Sequence, residues 1–151
     1  MGVVRKRMWF GVVATVIIGP GFIHRAGFGK LLLPHPPLVN SLLRIGLKAD
    51  DHLLLSLTHE FGHLQTLPAA FVYGAGMLVA AIGRAQTSLA ALLVMVISFQ
   101  AAWEMMAEAL TILSNTSLYR EGYRGINPVP RILFWFIMGT LVASGWLLVS
   151  C

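Results

Sequence analysis

Between Gln86 and Leu118 the sequence contains only two ionisable side chains, Glu104 and Glu108, within an otherwise apolar run. Thr87 to Leu113 is long enough for a membrane-crossing helix, since about 20 apolar residues cross roughly 30 Å of hydrocarbon. A charged carboxylate in such a helix costs about 2.5–3.5 kcal/mol on insertion scales, so two of them call for a cation. The rest of the chain suits lipid as its solvent: 57% of residues are hydrophobic and 11% charged, with a mean hydropathy of +0.77. Soluble domains carry about 25% charged residues. A net charge of +5 and a pI near 10.0 leave nucleic acid as a formal option. However, the basic residues sit in short segments beside apolar runs, which fits anionic lipid head groups and implies no nucleic-acid partner.

The expected fold is all-α: one integral membrane domain over residues 1–151, a helical bundle of about four transmembrane helices with one interfacial or re-entrant segment, multi-pass in the cell membrane. Arg5-Lys6-Arg7 precedes an apolar run from Met8 to about Ile23, read as a retained first crossing. Residues 24–51 form the interfacial segment, in which Pro34-His35-Pro36-Pro37 breaks any helix and Leu38 to Leu47 can form a short amphipathic one. Asp50-Asp51 opens a helix that runs to about Ile82, with Pro68 as a kink. A turn at Gly83-Arg84, the run from Thr87 to Leu113, a polar loop from Ser114 to Pro130 and a last crossing from Ile132 to Val149 complete the chain. No strand is expected. The single cysteine, Cys151, excludes an intramolecular disulfide.

The chemistry lies in His59-Glu60-Phe61-Gly62-His63. His59 and His63, four apart on a helix, share one face and can bind one metal ion. Glu60 lies about 100° around the helix, off that face, where a glutamate at this spacing serves as general base toward a metal-activated water. A third ligand is needed, and the apolar run offers Glu104, with Glu108 four residues on. Gln100 and Thr111 extend this pair into a polar stripe matched by His52, Ser56, His59 and His63 on the motif helix. In an antiparallel hairpin, His59 is level with Glu108 and His63 with Glu104 about one midpoint. That midpoint falls between Gly83 and Arg84, where the turn is placed independently.

His-Glu-x-x-His followed by Glu104-Met105-Met106-Ala107-Glu108 resembles the gluzincin zinc peptidases, most closely the membrane-embedded CAAX and heat-shock metalloproteases with their E-x-x-A-D motif. Here Glu stands in place of the final Asp. The resemblance implies a Zn²⁺ ion held by His59, His63 and Glu104, with Glu60 as catalytic base and Glu108 as a carboxylate orienting a ligand histidine. It also implies hydrolysis of a peptide bond in a membrane-associated protein or peptide. The lipid bilayer is then the second partner.

An alternative class uses the same His/Glu cluster to pass a metal ion or protons, as a transporter or channel. A di-iron centre fits poorly with three carboxylates and two histidines, and a haem less well, because histidines on one helical face cannot grip opposite sides of an iron. His24, His35 and His52 are read as loop or interfacial residues, and Trp103 as packing. Arg120, Arg124 and Arg131 are expected to meet lipid phosphates. Basic residues number seven on the motif side of this four-crossing layout (Arg25, Lys30, Arg44, Lys48, Arg120, Arg124, Arg131) and four on the other (Arg5, Lys6, Arg7, Arg84). The count leans to a cytoplasmic site, against the pull of the basic N-terminus.

Overall fold

Among the described residues, three helices are long and apolar enough to cross a membrane. They appear in a computed structural model that describes residues 2–18, 24–35, 38–85 and 88–150. Asp50 and Asp51 occupy the first turn of α2 (Ala49–Gly83), where carboxylates favour the positive end of the helix dipole. This helix runs 35 residues without reversing at Pro68. Ser88 caps α3 (Leu89–Ser114) by accepting from the Ala91 amide at 3.2 Å. A short α4 (Thr116–Gly122) leads to the third span, α5 (Val129–Ser150).

The segment before His35 departs from expectation. In place of a first crossing and an interfacial loop, it forms a four-stranded antiparallel sheet in the order β1-β2-β3-β4. The strands are β1 (Gly2–Arg7), β2 (Val13–Ile18), β3 (His24–Phe28) and β4 (Leu31–His35). The bundle therefore has three membrane-length helices rather than four, and the chain is mostly helical with a small sheet rather than all-α. Two physical reasons account for the difference. Gly11, at φ 86°, closes a tight turn in the middle of the apolar run, with the Met8 amide donating to the Val12 carbonyl at 2.8 Å. After it, Val13-Ala14-Thr15-Val16-Ile17-Ile18 is rich in β-branched residues, whose stiff χ1 favours a pleated strand.

The sheet docks on α2. Met8, Ala14, Val16 and Ala26 pack with Phe61 and Leu64 of α2 into one core. Beside this core the Trp9 indole N–H donates to the Gln65 carbonyl at 3.0 Å. From the other side, the Trp103 indole donates to the His63 carbonyl at 2.9 Å. Both indoles therefore bind carbonyls in the turn before Pro68, which has no N–H to offer that turn. β1, which carries Arg5-Lys6-Arg7, and β4, which contains Pro34, are the two edge strands of the sheet.

α1 (Leu38–Leu43) packs on α5 and ends in a turn that carries Arg44. α2 and α3 form the expected antiparallel hairpin. They approach most closely at Gly62, where an added Cβ would stand 2.8 Å from the Ala107 carbonyl oxygen. At the far end of the hairpin, Met77, Ala81, Met95 and Val149 form a second core.

Candidate metal centre

His59, Glu60 and His63 are all buried on α2, as are Glu104 and Glu108 on α3. Three donor atoms converge: His59 Nε2 and His63 Nε2 lie 3.2 Å apart, and Glu104 Oε2 lies 3.2 Å from the first and 3.3 Å from the second. Three lone-pair atoms facing one point repel one another unless a cation lies between them. Nitrogen and oxygen ligands about 2.0–2.1 Å from one tetrahedral ion stand roughly 3.3–3.4 Å apart, so a triangle of this size could hold a metal ion. Among the described residues, the group able to hold a metal ion comprises His59, His63 and Glu104.

Each donor is held from behind. The Gln100 side-chain amide donates to Glu104 Oε1 at 3.1 Å, leaving Oε2 for the convergence point. The Trp103 ring stands edge-on to the His63 imidazole, with centroids 5.1 Å apart. His59 Nδ1 lies 3.0 Å from Glu108 Oε2. Glu108 accepts on both oxygens: Oε1 takes Arg44 at 2.7 Å and the Tyr119 hydroxyl at 2.9 Å, and Oε2 takes the other Arg44 amino group besides His59. A carboxylate has about four acceptor positions, and all four are used. The network thus assigns the proton to His59 Nδ1 and leaves the Nε2 lone pair for the convergence point.

Glu60 follows His59 on the flank of α2 that turns from the donor face toward Leu64 and the sheet, and it is not one of the three converging donors. His52 also stays outside that group. The side chains of His24 and His35 lie outside the described residues.

Arg44, Tyr119 and Tyr123 were not anticipated as site residues. Burial works against the Arg44 charge, but the hydrogen bonds and field of Glu108, with those of Tyr123, outweigh it and raise its pKa further. Burial, then the field of the Glu108 carboxylate, pushes the Tyr119 phenol up, so it remains a donor. Burial raises Tyr123 as well, against the opposing pull of Arg44. A faint signal was present in the sequence. Arg44 interrupts Leu42-Leu43-x-Ile45, and Tyr119 and Tyr123 are four apart. Arg131, expected at lipid phosphates, lies over the Tyr123 ring at 4.1 Å.

No protein-family model, curated protein or solved structure matches this chain. Its chemistry is therefore argued from its own residues.

Proposed function

We propose that the protein is a membrane-embedded zinc metallopeptidase. The observation that carries this reading is the triangle of His59 Nε2, His63 Nε2 and Glu104 Oε2, with sides of 3.2–3.3 Å and buried at the meeting of two apolar helices. These three residues would hold the ion, whose chemistry when bound is Lewis acidity, polarising a carbonyl and making a water more acidic. Glu60, beside the donors and outside them, accepts the water's proton and returns it to the leaving amine. Glu108 keeps His59 in the tautomer that ligation needs.

The sheet adds support for a peptide substrate. It lies on the same turns of α2 as the motif, and a free strand edge can align an extended peptide through backbone hydrogen bonds. Pro34 removes a donor from β4, so β1 is the edge that offers its full set.

The new topology supports one orientation. With the sheet beside the motif, Arg5, Lys6, Arg7, Arg25, Lys30, Arg44, Lys48, Arg120, Arg124 and Arg131 all belong to the site's end of the bundle, and Arg84 alone to the other. The basic N-terminus no longer opposes the loop count. We place the site at the cytoplasmic face of the cell membrane.

The deciding experiment is Glu60→Gln in purified protein, with zinc content and cleavage of a membrane-presented peptide measured together. Bound zinc should remain while turnover falls by about 10²-fold or more. Undiminished hydrolysis would remove the proposed base, and a change in ion flux without hydrolysis in the wild type would favour the transporter.

A further inference from the structure

Arg44 is the largest fully buried side chain among the described residues. It reaches from the turn after α1 to the carboxylate of Glu108, to which it donates through both terminal nitrogens, at 2.7 Å to Oε1 and also to Oε2. It also donates to the Tyr123 hydroxyl at 2.9 Å. That hydroxyl donates in turn to the Leu43 carbonyl at 2.7 Å, so the guanidinium is tied back to the backbone beside its own residue. Tyr119 adds its hydroxyl to Glu108 Oε1 at 2.9 Å. The one direction left on the carboxylate points at His59 Nδ1, 3.0 Å away.

Such an arrangement is poorly explained as a stabilising device. A buried ion pair contributes little beyond what well-packed apolar residues of similar volume provide. The Arg44 Nε–H is buried without a hydrogen-bond partner among the described residues, a further cost that an apolar replacement would not carry. An apolar pair cannot, however, fix the plane and position of a carboxylate. A planar fork bonded at two points can.

We propose that Arg44 is a positioning residue for the metal centre. It clamps Glu108 so that His59 presents Nε2 to the ion, an inference that rests on the metal-site reading above. Arg44 itself touches none of the three converging donors. Its influence passes through two hydrogen-bonded contacts, Arg44 to Glu108 and Glu108 to His59.

The test uses the full chain in lipid nanodiscs and two readouts. The first is zinc affinity by competition with a chelator. The second is the ¹⁵N imidazole resonances of the metal-free protein, with His59 assigned by its loss in His59→Ala. Arg44→Met should weaken zinc binding by about 10–100-fold and move the His59 resonances. Arg44→Lys, a point charge without the fork, should fall between Arg44→Met and the wild type. Arg44→Met combined with Glu108→Gln, which removes the stranded charge but restores no fork, should bind zinc about as weakly as Arg44→Met. A loss that persists without a stranded charge separates positioning from charge neutralisation. If Arg44→Met does not fold, Arg44→Lys and the double variant carry the same comparison against the wild type. Wild-type zinc affinity in Arg44→Met with unmoved His59 resonances would overturn the inference, and so would a double variant that recovers wild-type zinc affinity. If the wild type takes up no zinc while the His59 resonances still follow the Arg44 variants, the metal reading fails and the positioning role stands.

Discussion

The two ends of the α2–α3 hairpin solve the same packing problem with opposite chemistry. At the far end, Met77, Ala81 and Met95 meet Val149 of α5, and the polar contacts there are the Ser98 hydroxyl with the Tyr73 hydroxyl at 2.7 Å and with the Val142 carbonyl at 3.4 Å. Lipid is as apolar as these side chains, so association there depends on close fit rather than on escape from water. At the motif end the same helices bury two histidines and three carboxylates, groups that need polar partners or a cation there. The apolar end can hold the hairpin without chemistry. The polar end is retained at a cost, which directs attention to what it binds.

Substitutions can test this division, and the largest separation should come from side chains at opposite ends. His63→Ala should strip nearly all zinc, as should His59→Ala and Glu104→Ala, whereas His52→Ala should not. Met77→Ala should leave the zinc in place and cost about 2–5 kcal/mol of stability through the cavity it creates. Elemental analysis alongside thermal unfolding reads both, and zinc loss in Met77→Ala would erase the distinction between the ends.

A smaller contrast comes from two glycines. At Gly62 an added methyl meets backbone, the Ala107 carbonyl oxygen at 2.8 Å and its Cα at 3.0 Å, which can yield only if the helices part. Gly62→Ala should therefore lower zinc affinity by about tenfold, roughly 1.4 kcal/mol. At Gly145 the methyl meets the side chains of Ser98 and Met77. Gly145→Ala should cost about 1–3 kcal/mol of stability by overpacking and leave zinc affinity unchanged. Equal zinc affinities in the two variants would show that the helices do not need their close approach at the site.

The smallest expected effect is alkaline. Tyr119 and Tyr123 have phenol pKa values raised above the ordinary 10.0 in the fold, chiefly by burial. Their contribution to stability is present below about pH 10, where an unfolded tyrosine is still protonated, and is lost as pH rises toward their folded values. Tyr119→Phe should cost about 0.5–1.5 kcal/mol near neutral pH and make the loss of stability above pH 10 shallower. An unchanged alkaline slope would mean that the hydroxyl does not stay protonated on Glu108.

The sequence made the hairpin legible because its signals were long and mutually consistent. Glu104 and Glu108 were conspicuous in an apolar helix, and Gly83-Arg84 marked a turn at the midpoint of the two polar stripes. The sheet was hidden because Val13 to Ile18 does not alternate. Ala14, Thr15 and Val16 are all buried, so a run covered on both faces reads like part of a helix. Length and punctuation were the better guides, since Gly11 and Gly29-Lys30 bound short β-branched or apolar runs. Arg44 could not have been placed from sequence. Its partner lies 64 residues away, and only the packing of α1 and the turn after it brings the two together.

The mismatch in helix length sets where this chemistry meets water. α5 has 22 residues, about 33 Å at 1.5 Å per residue, which nearly matches the hydrocarbon layer. α2 has 35 residues, about 52 Å, and its far end is level with that of α5, where Met77 and Ala81 pack on Val149. Counting back along the two parallel helices brings His59 beside the first turn of α5, with the turns from Ala49 onward standing beyond the apolar layer. In a bilayer matched to α5, the histidines would thus lie near its boundary rather than in its middle. Under the proposed peptidase reading, a membrane-anchored substrate would have to bring its scissile bond up to the head-group level, and the bilayer surface itself would act as the ruler for where the cut falls.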